Sequence, residues 1–263
     1  MEIRKERTND SSNIKKVIAV MSGKGGVGKS SVTSLVAMAL KKQGYKVGIM
    51  DADITGPSIP KIFGINNQRA TGDEKSINPV ETQNGIKVIS LNLLIKDEDS
   101  PVIWRGPLLG STVKQFYTDV NWGDLDYLVI DLPPGTGDVS LTIMQSIPVD
   151  GLVVVTAPQD LVTLIVKKSI NMANMMHIPV LGVIENMSYY ECPDCGKRHN
   201  IFGTSNLDKV AEDMELDIIH KLPIDSQFVE LCDEGKVELY PEMGFGIFDD
   251  LNEKVKKFIV EKK

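Results

Sequence analysis

The chain has 263 residues, 42% of them hydrophobic and 25% charged, with a formal net charge of −7. That length and apolar content suit one large domain with a substantial core. The acidic balance, without a basic tract, excludes binding driven by a nucleic-acid backbone, and no run of about 18 apolar residues offers a membrane span.

Met1–Asn13 is polar and lacks the apolar stretch of a secretory signal, so residues 1–14 are expected to be a flexible tail and 15–263 a single domain. Lys16–Met21 is apolar and β-branched, the pattern of a buried parallel strand. It runs into Gly23-Lys24-Gly25-Gly26-Val27-Gly28-Lys29-Ser30, a complete G-x-x-x-x-G-K-[ST] phosphate loop. Ser30–Gln43 follows as a helix with Leu35, Val36, Ala39 and Leu40 on one face. The loop thus has the strand–loop–helix context that its chemistry needs. Its glycines let backbone N–H groups turn inward as an anion cradle, Lys29 is placed for the β- and γ-phosphates, and the Ser30 hydroxyl for Mg²⁺. The expected nucleotide contacts are Gly23, Lys24, Gly25, Gly26, Val27, Gly28, Lys29, Ser30 and Ser31. Lys24 is not required by an ordinary phosphate loop; it reads either as a solvated surface lysine or as a cation aimed at the nucleotide of another subunit.

Further predicted strands are Lys46–Met50, Lys87–Leu91, Tyr127–Asp131, Gly151–Thr156, Val180–Glu185 and Asp217–Leu222. Helices are expected at Leu108–Thr118, Val139–Ser146, Asp160–Met175, Asn206–Glu212 and Ser226–Asp233, with a last one over Gly246–Val260. Such alternation, with strands apolar nearly throughout, predicts an α/β fold: a mostly parallel sheet covered by helices on both faces. Asn66–Asn84 reads as an irregular excursion, and residues from about 189 to 203 as an insertion. Met172, Met175 and Met176 read as core packing, as do Trp104 and Trp122, with a dimer face as the alternative for the Trp104-Arg105-Gly106-Pro107 turn.

Two acidic clusters end strands, Asp51-Ala52-Asp53 and Asp131-Leu132-Pro133-Pro134-Gly135-Thr136-Gly137-Asp138. Ligands of open α/β sheets sit at the carboxyl ends of strands, which puts both on the rim of the phosphate loop. Asp131 fits the acid linked to Mg²⁺, Asp51 a supporting position through water, and Asp53 the residue that orients the attacking water. Lys24, Lys29 and Asp53 form the catalytic set, and Ser30, Asp51 and Asp131 the Mg²⁺ set.

Cys192-Pro193-Asp194-Cys195-Gly196 is a single C-x-x-C turn. It supplies two thiolates, whereas a tetrahedral metal or a four-iron cluster needs four ligands. His199 and Cys232 could complete a zinc site within the chain, two copies could share zinc or a [4Fe–4S] cluster at a dimer axis, or the pair could be a redox dithiol. Three cysteines without a secretory signal suit a reducing, cytoplasmic setting.

These segments, together with Asp51–Ser58, Thr156–Gln159, Glu185–Gly196 and Ile201–Gly203, resemble the Mrp (ApbC-like) family of iron–sulfur cluster carrier ATPases. That family belongs to the deviant phosphate-loop ATPases, with nitrogenase iron protein and the septum-site protein MinD. The resemblance runs from about residue 15 to residue 246. It implies an ATP- and Mg²⁺-dependent homodimer in which Lys24 reaches across to the partner's nucleotide. It further implies that Asn186 recognises adenine, with Pro223 and Asp225 on the base-side loop, and that Cys192 and Cys195 share a bridging [4Fe–4S] cluster with their twins, zinc being a substitute. The expected partners are apo iron–sulfur proteins and cluster-assembly scaffold proteins, with no nucleic acid and no membrane. Many of that family carry an extra N-terminal domain or cysteine cluster, which this sequence is not read to contain. The rival readings are a MinD- or ParA-like positioning ATPase, for which Phe245–Lys263, read here as a core-docking helix, would have to serve as an anchor, and a nucleotide-binding module with a structural zinc knuckle.

Overall fold

The computed structural model describes residues 5–73, 76–95, 106–158 and 162–240. The predicted terminal helix, Trp104 and Gln159 lie outside the described residues. In chain order the strands are β1 (Asn13–Ser22), β2 (Val47–Asp51), β3 (Thr71–Gly72), β4 (Ile77–Asn78), β5 (Val80–Glu81), β6 (Lys87–Ile89), β7 (Asp124–Asp131), β8 (Gly151–Thr156), β9 (Val180–Glu191), β10 (Arg198–His199) and β11 (Ile218–Pro223). The helices are α1 (Lys29–Lys42), α2 (Ile59–Ile62), α3 (Gly106–Thr118), α4 (Asp138–Ser146), α5 (Val162–Met175), α6 (Leu207–Asp213) and α7 (Ser226–Asp233).

The main sheet runs β10-β9-β8-β1-β7-β2-β6-β5, with β11 paired to β9. All pairings are parallel except those of β5 with β6 and β10 with β9. Side-chain alternation explains its two-sided core. Ile18 and Val20 of β1 pack with Val32, Leu35 and Val36 of α1, while Val17, Ala19 and Met21 pack with Phe116, Ile143 and Val166 from α3, α4 and α5. β7 inserts between β1 and β2, so the carboxyl ends of the three strands converge, with Asp131 in register with Val20 and Asp51. This convergence is what assembles the site.

Four differences from the sequence reading matter. The described part of the tail is tied down: Lys5 Nζ donates to Met144 O at 2.6 Å, the Glu6 N–H to Ser146 O at 2.7 Å, and Asn9 Nδ2 to Val120 O at 3.1 Å. Asn66–Asn84 contains the short strands β3, β4 and β5. Strand β9 continues to Glu191 instead of ending at Glu185, so the cysteine insertion grows directly out of the sheet. Met172 is buried in the core but Met175 is 74% exposed, because it lies on the outer face of α5.

Candidate nucleotide site and cysteine hairpin

The phosphate loop bridges β1 and α1. Gly26 and Gly28 have φ near +80°, a left-handed conformation that glycine adopts without the Cβ penalty. Lys29 is buried, its Nζ 2.8 Å from Asp131 Oδ1 and 3.8 Å from Asp53 Oδ2. The Ser30 hydroxyl donates to Asp131 Oδ2 at 2.6 Å and Thr33 Oγ1 donates to Asp131 Oδ1 at 2.6 Å. Asp131 is fully buried and satisfied by one ammonium and two hydroxyls. Thr33 was missed from the sequence, although four residues after Lys29 places it on the same face of α1.

Asp51 is buried beside it, accepting from Ser90 Oγ at 3.0 Å and from the Asp53 N–H at 3.2 Å. Burial, reinforced by the neighbouring Asp131 anion, pushes its carboxyl pKa well above the usual range, against the opposing pull of Lys29. Asp53 is also buried and accepts from Thr55 Oγ1 at 3.0 Å. The Pro-Pro-Gly turn after Asp131 is hooked to the phosphate loop by the Gly135 N–H donating to Ser22 O at 2.8 Å. Lys24 is half-buried, and its ammonium has no ion pair or hydrogen-bond partner among the described residues.

Gly25, Gly26, Gly28, Lys29, Ser30, Ser31 and Asp53 line one side of a cavity of about 420 Å³, closed opposite by Lys61 of α2 and Phe228, Val229 and Cys232 of α7. A second cavity of about 270 Å³ shares Gly26, Gly28, Ser31, Phe228 and Val229 with it and extends to Leu35, Asn186, Pro223, Asp225 and Tyr240. The two cavities are therefore contiguous. Asn186 Nδ2 donates to Val27 O at 3.0 Å, fastening β9 to the loop. Asp225 lines the cavity but its carboxylate caps α7, accepting from the Gln227 and Phe228 N–H groups and from the Tyr240 hydroxyl. The apolar and aromatic walls contributed by Leu35, Phe228 and Tyr240 carry no local sequence signal; they meet only in the fold.

Cys192 and Cys195 sit at the tip of the β9–β10 hairpin, Cys195 exposed and Cys192 half-buried. The Gly196 N–H donates to Cys192 O at 2.8 Å and the Cys192 N–H to Lys197 O at 3.0 Å, closing the turn. Backbone N–H groups of Asp194 and Cys195, aided by the Cys195 thiol, lower the Cys192 pKa toward the thiolate. Cys232 lies instead in the nucleotide cavity, where burial pushes its thiol up to about 11. Among the described residues no group of three or more His, Cys, Asp and Glu side chains is placed to hold a metal ion, so the zinc site completed by His199 and Cys232 does not form.

A family model described as "NUBPL iron-transfer P-loop NTPase", within the ParA group, matches residues 13–256. The chain belongs to this family. It is 51% identical over 235 residues to the iron-sulfur cluster carrier protein of Clostridium perfringens, covering 87% of this chain and 82% of that protein. It is 41% identical over 258 residues to the yeast cytosolic Fe-S cluster assembly factor CFD1 of Saccharomyces cerevisiae, covering 93% and 88%. Among solved structures, a nucleotide-binding protein of Archaeoglobus fulgidus in complex with ADP superposes with a TM-score of 0.77 at 44% identity, covering 88% of this chain and 92% of that one. The cell division ATPase MinD of Pyrococcus furiosus shares the fold, with a TM-score of 0.68 at 20% identity over 92% and 99% of the chains.

Proposed function

We propose that this protein is an ATP-dependent iron–sulfur cluster carrier that holds a [4Fe–4S] cluster as cargo between two copies and passes it to apo iron–sulfur proteins. The observation that carries this reading is the pair Cys192 and Cys195, presented at the tip of a hairpin whose root strand also contacts the phosphate loop through Asn186. One pair supplies half of a four-thiolate set, and a second copy supplies the rest. The ammonium of Lys24, without a partner among the described residues, supports the same assembly, in which it would meet the phosphates of the facing subunit.

The nucleotide site fits ATP with Mg²⁺. The two contiguous cavities take base and phosphates, and the Ser30 hydroxyl lies 2.6 Å from Asp131, a pairing suited to a cation that takes few protein ligands beside phosphate oxygens. When bound, Mg²⁺ neutralises phosphate charge. On ATP binding Lys29 leaves Asp131 for the phosphates, Asp53 orients the attacking water, and the Gly135 hook carries the change into the turn after Asp131. Slow hydrolysis, timed by a partner, fits a switch of this kind. Cargo release requires only ligand exchange: acceptor thiolates replace those of Cys192 and Cys195, with no change of oxidation state. A reducing cytoplasm suits thiols at a hairpin tip, and zinc is the expected substitute in aerobic preparations.

Anaerobic reconstitution with iron and sulfide, read by visible absorption and metal analysis, tests the reading. The wild type should take up four irons per dimer, and Cys192→Ala should take up none while binding ATP as before. A full four-iron cluster in that variant would overturn the assignment.

A further inference from the structure

Strand β9 carries both the nucleotide contact and the hairpin, with an irregularity between them. Against β11, Lys221 pairs with Glu185 and Pro223 with Tyr189, so two steps on β11 span four on β9. Asn186, Met187 and Ser188 bulge out, and Met187 has φ of +55°, a left-handed conformation uncommon for a side chain of its size. The bulge turns Asn186 toward Val27 O in the phosphate loop.

The root of the bulge is Glu185, a fully buried carboxylate. Its Oε2 accepts from Ser188 Oγ at 2.5 Å on the outgoing leg of the hairpin, and its Oε1 accepts from Ser205 Oγ on the returning leg. Ser205 in turn accepts from the Leu207 N–H at 3.0 Å, at the start of α6. A buried carboxylate is costly unless its lone pairs are met, so these two hydroxyls are strongly held. Above the root the two legs of the hairpin are braced against each other. Arg198 pairs with Glu191 at 3.0 Å and stacks 4.3 Å over the Tyr189 ring, and Arg198–His199 pair with the end of β9. Beside the root a cleft of about 530 Å³ leaves room for the hairpin to tilt.

We propose that Glu185, with Ser188 and Ser205, is a positioning device that couples the phosphate loop to the cysteine pair. Cys192 lies six residues after Asn186. A hairpin stapled at both legs to the residue beside Asn186 follows a displacement of Asn186. Nucleotide that shifts the Val27–Asn186 contact therefore re-aims Cys192 and Cys195. This rests on the carrier reading for its purpose but not for its test.

The test uses the metal-free full-length protein and measures alkylation rates of Cys192 and Cys195, peptide by peptide, so that Cys232 in the nucleotide cavity is read separately. A non-hydrolysable ATP analogue with Mg²⁺ should change the wild-type rates about fivefold, the low end of coupling between sites. Ser188→Ala with Ser205→Ala should bring that ratio within about twofold of one at unchanged analogue affinity. Glu185→Gln, which keeps an acceptor for one hydroxyl, should fall between. A full wild-type ratio in the double variant overturns the proposal, and so does a wild-type ratio of one. Failure of the wild type to take up a cluster would instead sink the carrier reading and leave this coupling standing.

Discussion

Gly28→Ala is expected to act through two separable costs. The native φ of +79° is left-handed, and an alanine there costs about 1–2 kcal/mol. A Cβ at Gly28 would also lie 2.1 Å from Asn186 Nδ2. That neighbour is the end of a side chain, so it yields by rotating away and loses its 3.0 Å bond to Val27 O, at about 1 kcal/mol net. The total is about 2–3 kcal/mol, or about 5–10 °C in Tm for a domain of this size. Asn186→Ala alone should cost about 1 kcal/mol, since it removes only the bond. In the double variant the bond is already gone, so only the backbone cost is added, and the pair should fall short of additivity by about 1 kcal/mol. Denaturant unfolding of the four proteins without nucleotide measures the cycle. Additivity within about 0.4 kcal/mol would refute the claim that Asn186 is held against the phosphate loop.

Asp51 gives a pH signature. Its folded pKa lies above an unfolded value of about 3.9, so its contribution is fully present below about pH 4 and is lost as pH rises through the folded value. Asp51→Asn should lack that loss, and its Tm should fall less than that of the wild type between about pH 5 and pH 8; parallel Tm curves would count against the shift. Lys29→Ala leaves the buried Asp131 carboxylate without its ammonium and should cost about 3 kcal/mol of stability in denaturant titrations. It should also weaken ATP binding by about tenfold to a hundredfold in calorimetry, and unchanged affinity would remove Lys29 from the site. Lys24→Ala should keep the wild-type ADP affinity but abolish dimerisation with an ATP analogue in sedimentation velocity; a persistent dimer would refute the action of Lys24 across subunits.

The parallel strands were legible because both of their faces are buried, which demands unbroken apolar runs such as Leu128–Ile130 and Leu152–Val155. The same rule hid the outer half of β9. Beyond Glu185 the strand leaves the core, and Ser188-Tyr189-Tyr190 carries no apolar run to announce it. The phosphate loop and Asp131 were legible because local spacing encodes them. The staple of Glu185 to Ser205 and the bond of Ser90 to Asp51 were not, since each joins residues 20 or more positions apart that no periodicity links. Asp225 lies between β11 and α7 beside the second cavity, but its role as the cap of α7 depends on where the helix starts and on Tyr240 folding back to it.

The resting charge balance of the site bears on why a divalent cation belongs with the proposed nucleotide. Around the Lys29 ammonium stand Asp131 at 2.8 Å and Asp53 at 3.8 Å, with Asp51 adjoining. One buried ammonium thus faces three carboxylates, and the Asp51 pKa is raised by burial first and by the neighbouring Asp131 anion second. A triphosphate entering alone would draw Lys29 away from Asp131 and leave the most buried of the carboxylates with only two hydroxyl donors, Ser30 and Thr33. Ser30 would help to hold a divalent cation, whose charge would make up for the compensation that Lys29 gives up, so binding of triphosphate and of Mg²⁺ should be mutually dependent. ADP, with one phosphate fewer, asks less of Lys29 and should show the weaker dependence. Titrating each nucleotide with and without Mg²⁺ measures the difference, and equal Mg²⁺ dependence for ATP and ADP would show that Lys29 does not move between Asp131 and the phosphates.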